Sequence, residues 1–558
     1  MSQIDFEIKG IGTLVKEHLL TVPNYQRSYK WEDEHIKSLF SDLSRAIDNN
    51  ESEYFLGTVV LSKKEGAKEL EIVDGQQRIT TVVIFLSAIR NYFFSKGKSQ
   101  SANSIQTDFI SNFDTRNEEN VAKLKLGNQD RTFFQKYIVD NNKDEKPTKG
   151  SHQRIITAKE EATRKVNAIS TLSETQLHNW KDFILDKLKV VSIIVSSNAN
   201  AFTLFETLND RGLIFAQTDL LKNHLFSRAG DYLDEVQFMW VEMAAKIEEE
   251  LGESSILNYI KHFWSSRYGL TREKNKELYK SISEAKKSPT DVRDFVKELN
   301  DDTKLYLAIF NHKDNYWTEH TENSKKYIET LNYLELEQYR PLVLSILKRF
   351  NDKKETELSL KLIVTWVVRN LITGSLGSGA LESEYAELAK KIFYSEIKTS
   401  SEFKDNLKNI PSDQAFKDRL LTVSLSKEKL ARYYLRAIES QYRGNGTPEC
   451  IVDSDQNIVD LEHILPKKPE KGEWTNFTQE EVKEYKNRLG NLTVMSKKKN
   501  SDLESDSFDK KKEVYKNSEI KITKEIAEIY SEWNKENIIK RQEFIAEIAV
   551  KTWNLKLS

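Results

Sequence analysis

Residues 69–94 read ELEIVDGQQRITTVVIFLSAIRNYFF, and the change of character inside them decides the fold class. ELEIV at 69–73 is a β-branched run that reads as a strand, whereas ITTVVIFLSAIRNYFF at 79–94 is too long for a strand and reads as a helix. DGQQR between them is a glycine-containing turn. Upstream, YFLGTVVLS at 54–62 reads as a second strand. Downstream, KLKVVSIIVSS at 187–197 returns as a third, placed to rejoin the same sheet. An α+β or α/β module therefore opens the chain.

Around that module the chain is mostly helical. Residues 96–187 are polar with helical stretches and a lysine- and asparagine-rich loop at 140–150. NANAFTLFETLNDRG then reads as a helix with Gly212 placed for its C-terminal cap. Residues 213–440 carry apolar spacing of helical period, as in PLVLSILKRF and LKLIVTWVVRNLI. TGSLGSGALES (373–383) lacks a lysine, fails the phosphate-loop pattern, and reads as an inter-helix loop. QYRGNGTPEC (441–450) is the best boundary. Beyond it come two short strands around IVDSDQNIVDLEHIL, then NRLGNLTVMSKKKN, then helices bearing Trp533, Arg541 and Trp553. The expected domains are 1–225, 226–440 and 441–558: a multidomain, predominantly α chain with α+β modules.

Composition bounds the rest. With 558 residues the chain exceeds one core, and 38% hydrophobic against 31% charged residues supports packed domains under a charged surface. Lysine plus arginine (85) nearly cancels aspartate plus glutamate (87), so a nucleic-acid site must be a local basic patch. Cys450 is the only cysteine, which excludes an intramolecular disulfide and multi-cysteine metal sites and points to a reducing cytoplasm. MSQIDFEIKG lacks a basic segment followed by an apolar run, so no secretory signal is expected, and no run approaches the ~20 apolar residues of a membrane span.

Two constellations carry chemistry. In the first, Asp74, Gly75, Gln76, Gln77 and Arg78 sit where a strand hands over to a helix, a junction that aims backbone N–H groups at an anion. Arg78 can add a bidentate phosphate contact and Asp74 can hold magnesium. A structural turn with Asp74 as helix cap explains the same residues, and their spacing leaves both readings open. VPNYQRSYKW (22–31) gathers Arg27 with several aromatic rings, and FETLNDRGLIFAQTDLLKNHL (205–225) brings Asn209, Asp210 and Arg211, then Asp219, Lys222 and Asn223.

Together, NYQRSYKW, FLGTVVL, DGQQRITT and LNDRGLIFAQTDLLKN resemble, in order and wording, the GmrS-like half of GmrSD-type, modification-dependent (type IV) restriction systems. The resemblance covers about 1–225. It implies a ParB-like (sulfiredoxin-like) fold that binds and hydrolyses a nucleoside triphosphate with a divalent ion. Arg27, Asp74, Gly75, Gln76, Gln77 and Arg78 then become nucleotide-site candidates, and Asn209, Asp210 and Arg211 closing residues.

The second constellation is LEHILP (461–466), followed by Asn491 in LGNLTVMS and Asn500 in KKKNSDL. Hydrolysing a phosphodiester needs a base for water, charge stabilisation at phosphorus and a group fixing the base's tautomer. One histidine, one or two oxygen ligands and one amide can meet those needs. Residues 486–512 hold eight lysines or arginines against four acids, so the triplets at 497–499 and 510–512 are candidate phosphate contacts, or else solvated faces. LEHILP…NRLGNLTVMSKKKNSDL is similar to the nuclease half of the same systems, a ββα-metal (HNH) branch. That resemblance spans about 440–558. It implies His463 as general base, Asn491 as its orienting residue, and Asn500 with Glu462 as the site for Mg2+ or Mn2+.

The expected function is a nucleotide-regulated, metal-dependent endonuclease of phage defence acting on double-stranded foreign or modified DNA. Two nuclease sites would be needed for opposite strands, which makes a homodimer attractive. The alternatives are a nucleotide-switched DNA-binding protein with a vestigial nuclease site, and a nuclease whose N-terminal module recognises DNA without turnover.

Overall fold

The computed structural model describes residues 4–63, 66–114, 118–195, 217–252, 254–271, 276–375, 377–444, 459–470, 472–496 and 506–557. Two compact units result: residues 1–258 with 271–303, and residues 259–270 with 304–558. This division differs from the expected one. The helices of 304–440 share a unit with 441–558, because the amphipathic Glu428–Arg443 helix packs on the last strand pair and on the Lys535–Thr552 helix.

The first unit is built on a six-stranded mixed sheet. Its strands are β1 (Ile4–Gly10), β2 (Leu19–Thr21), β3 (Tyr54–Ser62), β4 (Glu69–Asp74), β7 (Leu124–Lys125) and β8 (Leu188–Val195), in the order β1-β8-β3-β4-β2-β7. A separate hairpin is made by β5 (Ser111–Asp114) and β6 (Glu119–Ala122). β8 rejoins the sheet of β3 and β4, as expected; β3 and β4 pair antiparallel, and β8 runs parallel to β3. The strand β1 was not predicted, nor were the short strands β2, β5, β6 and β7, whose two to four residues are too few to show alternation.

The Gln76–Ser95 helix leaves β4 through Gly75, whose φ of 97° suits glycine. From Ile79 to Arg90 every side chain is buried, the pattern of a helix enclosed on all sides. Arg90 survives there because its guanidinium donates to the carbonyls of Ile138 and Val139 at 2.8 Å each. Burial nevertheless lowers it to about 10.

Among its described residues the second unit has two strands besides its helices, β9 (Val459–His463) and β10 (Leu492–Ser496), an antiparallel pair that sets His463 opposite Leu492. The segment 373–383 is mostly not a loop: a helix runs Ser378–Phe393, carried by Tyr385, Ala386, Ala389 and Ile392, which are buried at helical spacing. Among the described residues no helix is long and apolar enough to cross a membrane.

Candidate functional site

In the first unit, β3, β4, the start of the Gln76–Ser95 helix and the Gln217–Arg228 helix line a cleft of about 600 Å³. Arg78 lies along one wall, donating to the carbonyl of Leu56 and to the carboxylate of Asp74, each at 3.1 Å. Gly57, with φ of 115° at a bulge in β3, makes room for it, since a Cβ there would stand 2.3 Å from Arg78 Nη1. Burial pushes the Asp74 carboxyl up, while Arg78 draws it down.

Gln76 and Gln77, expected to face the nucleotide, are occupied with the chain itself. Gln76 Nε2 donates to the Arg27 carbonyl at 2.8 Å; Gln77 Oε1 accepts from the Lys30 N–H at 2.7 Å, and its Nε2 donates to the Ser28 carbonyl at 3.3 Å. Gln26 Nε2 returns the contact by donating to the Val73 carbonyl at 2.8 Å. The two glutamines thus tie the NYQRSYKW loop to the helix start and deliver Arg27 to the cleft.

Opposite stands Asp219, 3.7 Å from Arg27 and 3.0 Å from the buried ammonium of Lys222. Burial works against its ionisation, but Lys222 and Arg27 together hold the carboxyl below its usual range. Arg27, Arg78 and Lys222 against Asp74 and Asp219 leave one net positive charge facing the cleft. Asn209, Asp210 and Arg211 lie outside the described residues.

In the second unit, His463 ends β9 half-buried. Burial, and then the charge of Lys467, lower its imidazole to about 4, so the ring is neutral at pH 7. Its Nε2 lies 3.4 Å from Oδ1 of Asn487. Asn491 plays a different part from the one expected. Its Oδ1 accepts from the Leu465 N–H at 2.8 Å and from Trp533 Nε1 at 2.9 Å. Its Nδ2 donates to the carbonyls of Leu465 and Lys486, both at 3.0 Å. Every hydrogen-bonding position of this fully buried amide is taken, two by Leu465 in the turn after the histidine and the others by Lys486 and Trp533, so Asn491 fixes the backbone that carries His463.

Glu462 is corrected more sharply. Strand alternation turns it to the face opposite His463, where its carboxylate is buried and accepts from Lys511 Nζ and the Tyr515 hydroxyl, both at 2.7 Å. Lys511 also donates to the His463 carbonyl at 2.8 Å. The middle lysine of the 510–512 triplet is therefore a staple between the Phe508–Lys516 helix and β9, not a phosphate contact. Asn500 and the 497–499 triplet lie outside the described residues. Among the described residues no three histidine, cysteine, aspartate or glutamate side chains converge as metal ligands, and Glu462 does not fit that role.

Asn487, Lys511 and Tyr515 were missed in these roles because polar residues on short helices and loops show no periodicity.

A search of curated proteins returned no match. Two family models do match: the N-terminal domain of GmrSD restriction endonuclease over residues 11–226, and the C-terminal domain of GmrSD restriction endonucleases over residues 410–548. Those spans contain the Arg78 cleft and the His463 turn respectively, and with both domains on one polypeptide the chain belongs to the GmrSD restriction endonuclease family, enzymes that cut DNA.

Proposed function

We propose that the chain is a nucleotide-regulated endonuclease of phage defence in which His463 is the general base. The observation that carries the proposal is the neutral imidazole held against an amide oxygen at the end of an antiparallel strand pair, with a helix stapled across it by Lys511. A Nε2–H donating to Asn487 Oδ1 leaves the Nδ1 lone pair for water. In the step, the water oxygen bonds to phosphorus, its proton passes to Nδ1, and the phosphorus–oxygen bond to the leaving strand breaks. The arrangement supports a ββα (HNH-type) reading. A divalent ion, Mg2+ or Mn2+, would supply charge neutralisation at phosphorus; no step is routed through it, because Glu462 is committed elsewhere.

The regulatory half of the proposal rests on the cleft around Arg78, Arg27 and Lys222, which suits the phosphates of a nucleoside triphosphate. Cleavage of modified and unmodified plasmid is measured with Mg2+, with Mn2+ and after chelation, with and without each triphosphate. His463→Ala is expected to abolish cleavage while leaving the fold intact. Arg78→Ala is expected to abolish nucleotide hydrolysis. Full cleavage by the first variant, or full hydrolysis by the second, rejects the corresponding half. A second reading, a nucleotide-switched DNA-binding protein with a vestigial nuclease site, is favoured by the inward Glu462; it predicts nucleotide-dependent DNA binding without scission.

A further inference from the structure

Beside the Arg78 cleft lies a second hollow of about 690 Å³. The two share Gln26, Arg27, Asp219 and Lys222, so these side chains form a partition with a charged compartment on one side. The other compartment has a mixed lining, with Asn24, Asn128, Gln129 and Asp130 on one side and an apolar wall on the other. One face of the Leu233–Leu251 helix supplies Trp240, Val241, Ala244 and Ala245, and the following helix adds Ile256 and Leu257. Glu248, which also lines this hollow, pairs with Lys30 at 3.4 Å.

Two buried amide oxygens stand in these walls without a hydrogen-bond partner among the described residues: Gln217 Oε1 in the second hollow and Asn223 Oδ1 in the charged cleft. A buried acceptor left unpaired is costly, so such oxygens mark places where a donor is received. A chamber with one apolar wall and an unpaired amide acceptor, joined to an anion-binding chamber through Arg27 and Lys222, has the chemistry of a nucleoside beside its phosphates.

We infer that the second hollow is the base-binding half of the nucleotide site: the heterocycle sits against Trp240 and Ala244 and donates a ring or exocyclic N–H to Gln217, while its phosphates lie with Arg78 and Lys222. This rests on the proposed nucleotide site. It adds a base-reading subsite from helices that lie largely beyond the matched N-terminal domain.

The test separates the two ideas by using ligands with and without a base. Binding of each nucleoside triphosphate and of inorganic tripolyphosphate to the full chain is measured by calorimetry. Ala244→Trp fills the hollow, and Gln217→Ala removes the acceptor without adding bulk; thermal unfolding verifies that both fold. The expected result is at least tenfold weaker nucleoside triphosphate binding in Ala244→Trp, a smaller loss for Gln217→Ala confined to bases that present an N–H donor, and unchanged tripolyphosphate binding in both. Unchanged nucleotide affinity, or equal loss of both ligands, overturns the base subsite. Wild-type protein that binds neither ligand overturns the phosphate site itself, and with it this proposal.

Discussion

Asn487 and Asn491 stand four residues apart, and the structure gives them opposite duties. Asn491 saturates its amide on backbone and indole, so Asn491→Ala is expected to lower stability by roughly 3 kcal/mol, read as a shifted unfolding midpoint. Asn487 touches only the imidazole with its side chain, so Asn487→Ala should leave that midpoint in place and lower kcat on the order of 10²-fold with KM unchanged. Asn487→Asp, which keeps the acceptor, should recover much of the loss. A midpoint shift for Asn487→Ala as large as that for Asn491→Ala would make Asn487 a packing residue. The same contrast exists within one lysine triplet. Lys511→Met leaves Glu462 buried without its countercharge and should cost about 3–5 kcal/mol, whereas Lys510→Ala, at the surface beside Asp506, should fall within about 0.5 kcal/mol. Sequence located His463 and Asn491 but not what Asn491 holds, because spacing along the chain carries no information about which amide faces a ring.

The elements that sequence located best are those with enough residues to show a period. β3 runs over 54–62 as predicted, β4 extends the predicted strand by Asp74 alone, and β8 takes its place in the sheet. Illegible in the same stretch was the bulge at Gly57, although the glycine itself was in view inside FLGTVVL. The bulge lets the strand pass the guanidinium of Arg78. Gly57→Ala is expected to cost about 1–3 kcal/mol from its φ alone, and the added methyl should displace Arg78. Calorimetry should then show nucleotide binding lost in a protein that still unfolds cooperatively. Undiminished affinity would mean that Arg78 does not serve the cleft from that rotamer. The two glutamines teach a related lesson: DGQQR was legible as a site motif, yet two of its five side chains serve the neighbouring loop.

Across the molecule, acid is expected to be more damaging than the near-neutral charge balance suggests. His262, buried with its Nδ1 2.8 Å from the Tyr306 hydroxyl, is lowered to about 3 by burial, and His463 is lowered to about 4. Above pH 6.5 both folded and unfolded chains carry these rings neutral, so they add no slope. As pH falls below 6.5 the unfolded chain takes protons that the native one refuses, and stability declines until the folded values are passed. The urea midpoint should therefore drop steadily from pH 6.5 toward 4, and His262→Asn should flatten that slope. Cleavage, by contrast, should hold through pH 6, since His463 stays neutral there, and an acid limb at pH 6.5 would place its ionisation elsewhere.

The domain scheme was the least legible part, because compactness depends on contacts far apart in sequence. Trp533 completes the clamp on Asn491, and Gln542 donates to the carbonyls of Leu420 and Val423 while accepting from the Gly490 N–H. These residues leave the ribosome after the histidine turn they secure. During synthesis, then, the turn that carries His463 exists before Trp533 and Gln542 can brace it, and it takes its final form only when the late helices arrive and dock.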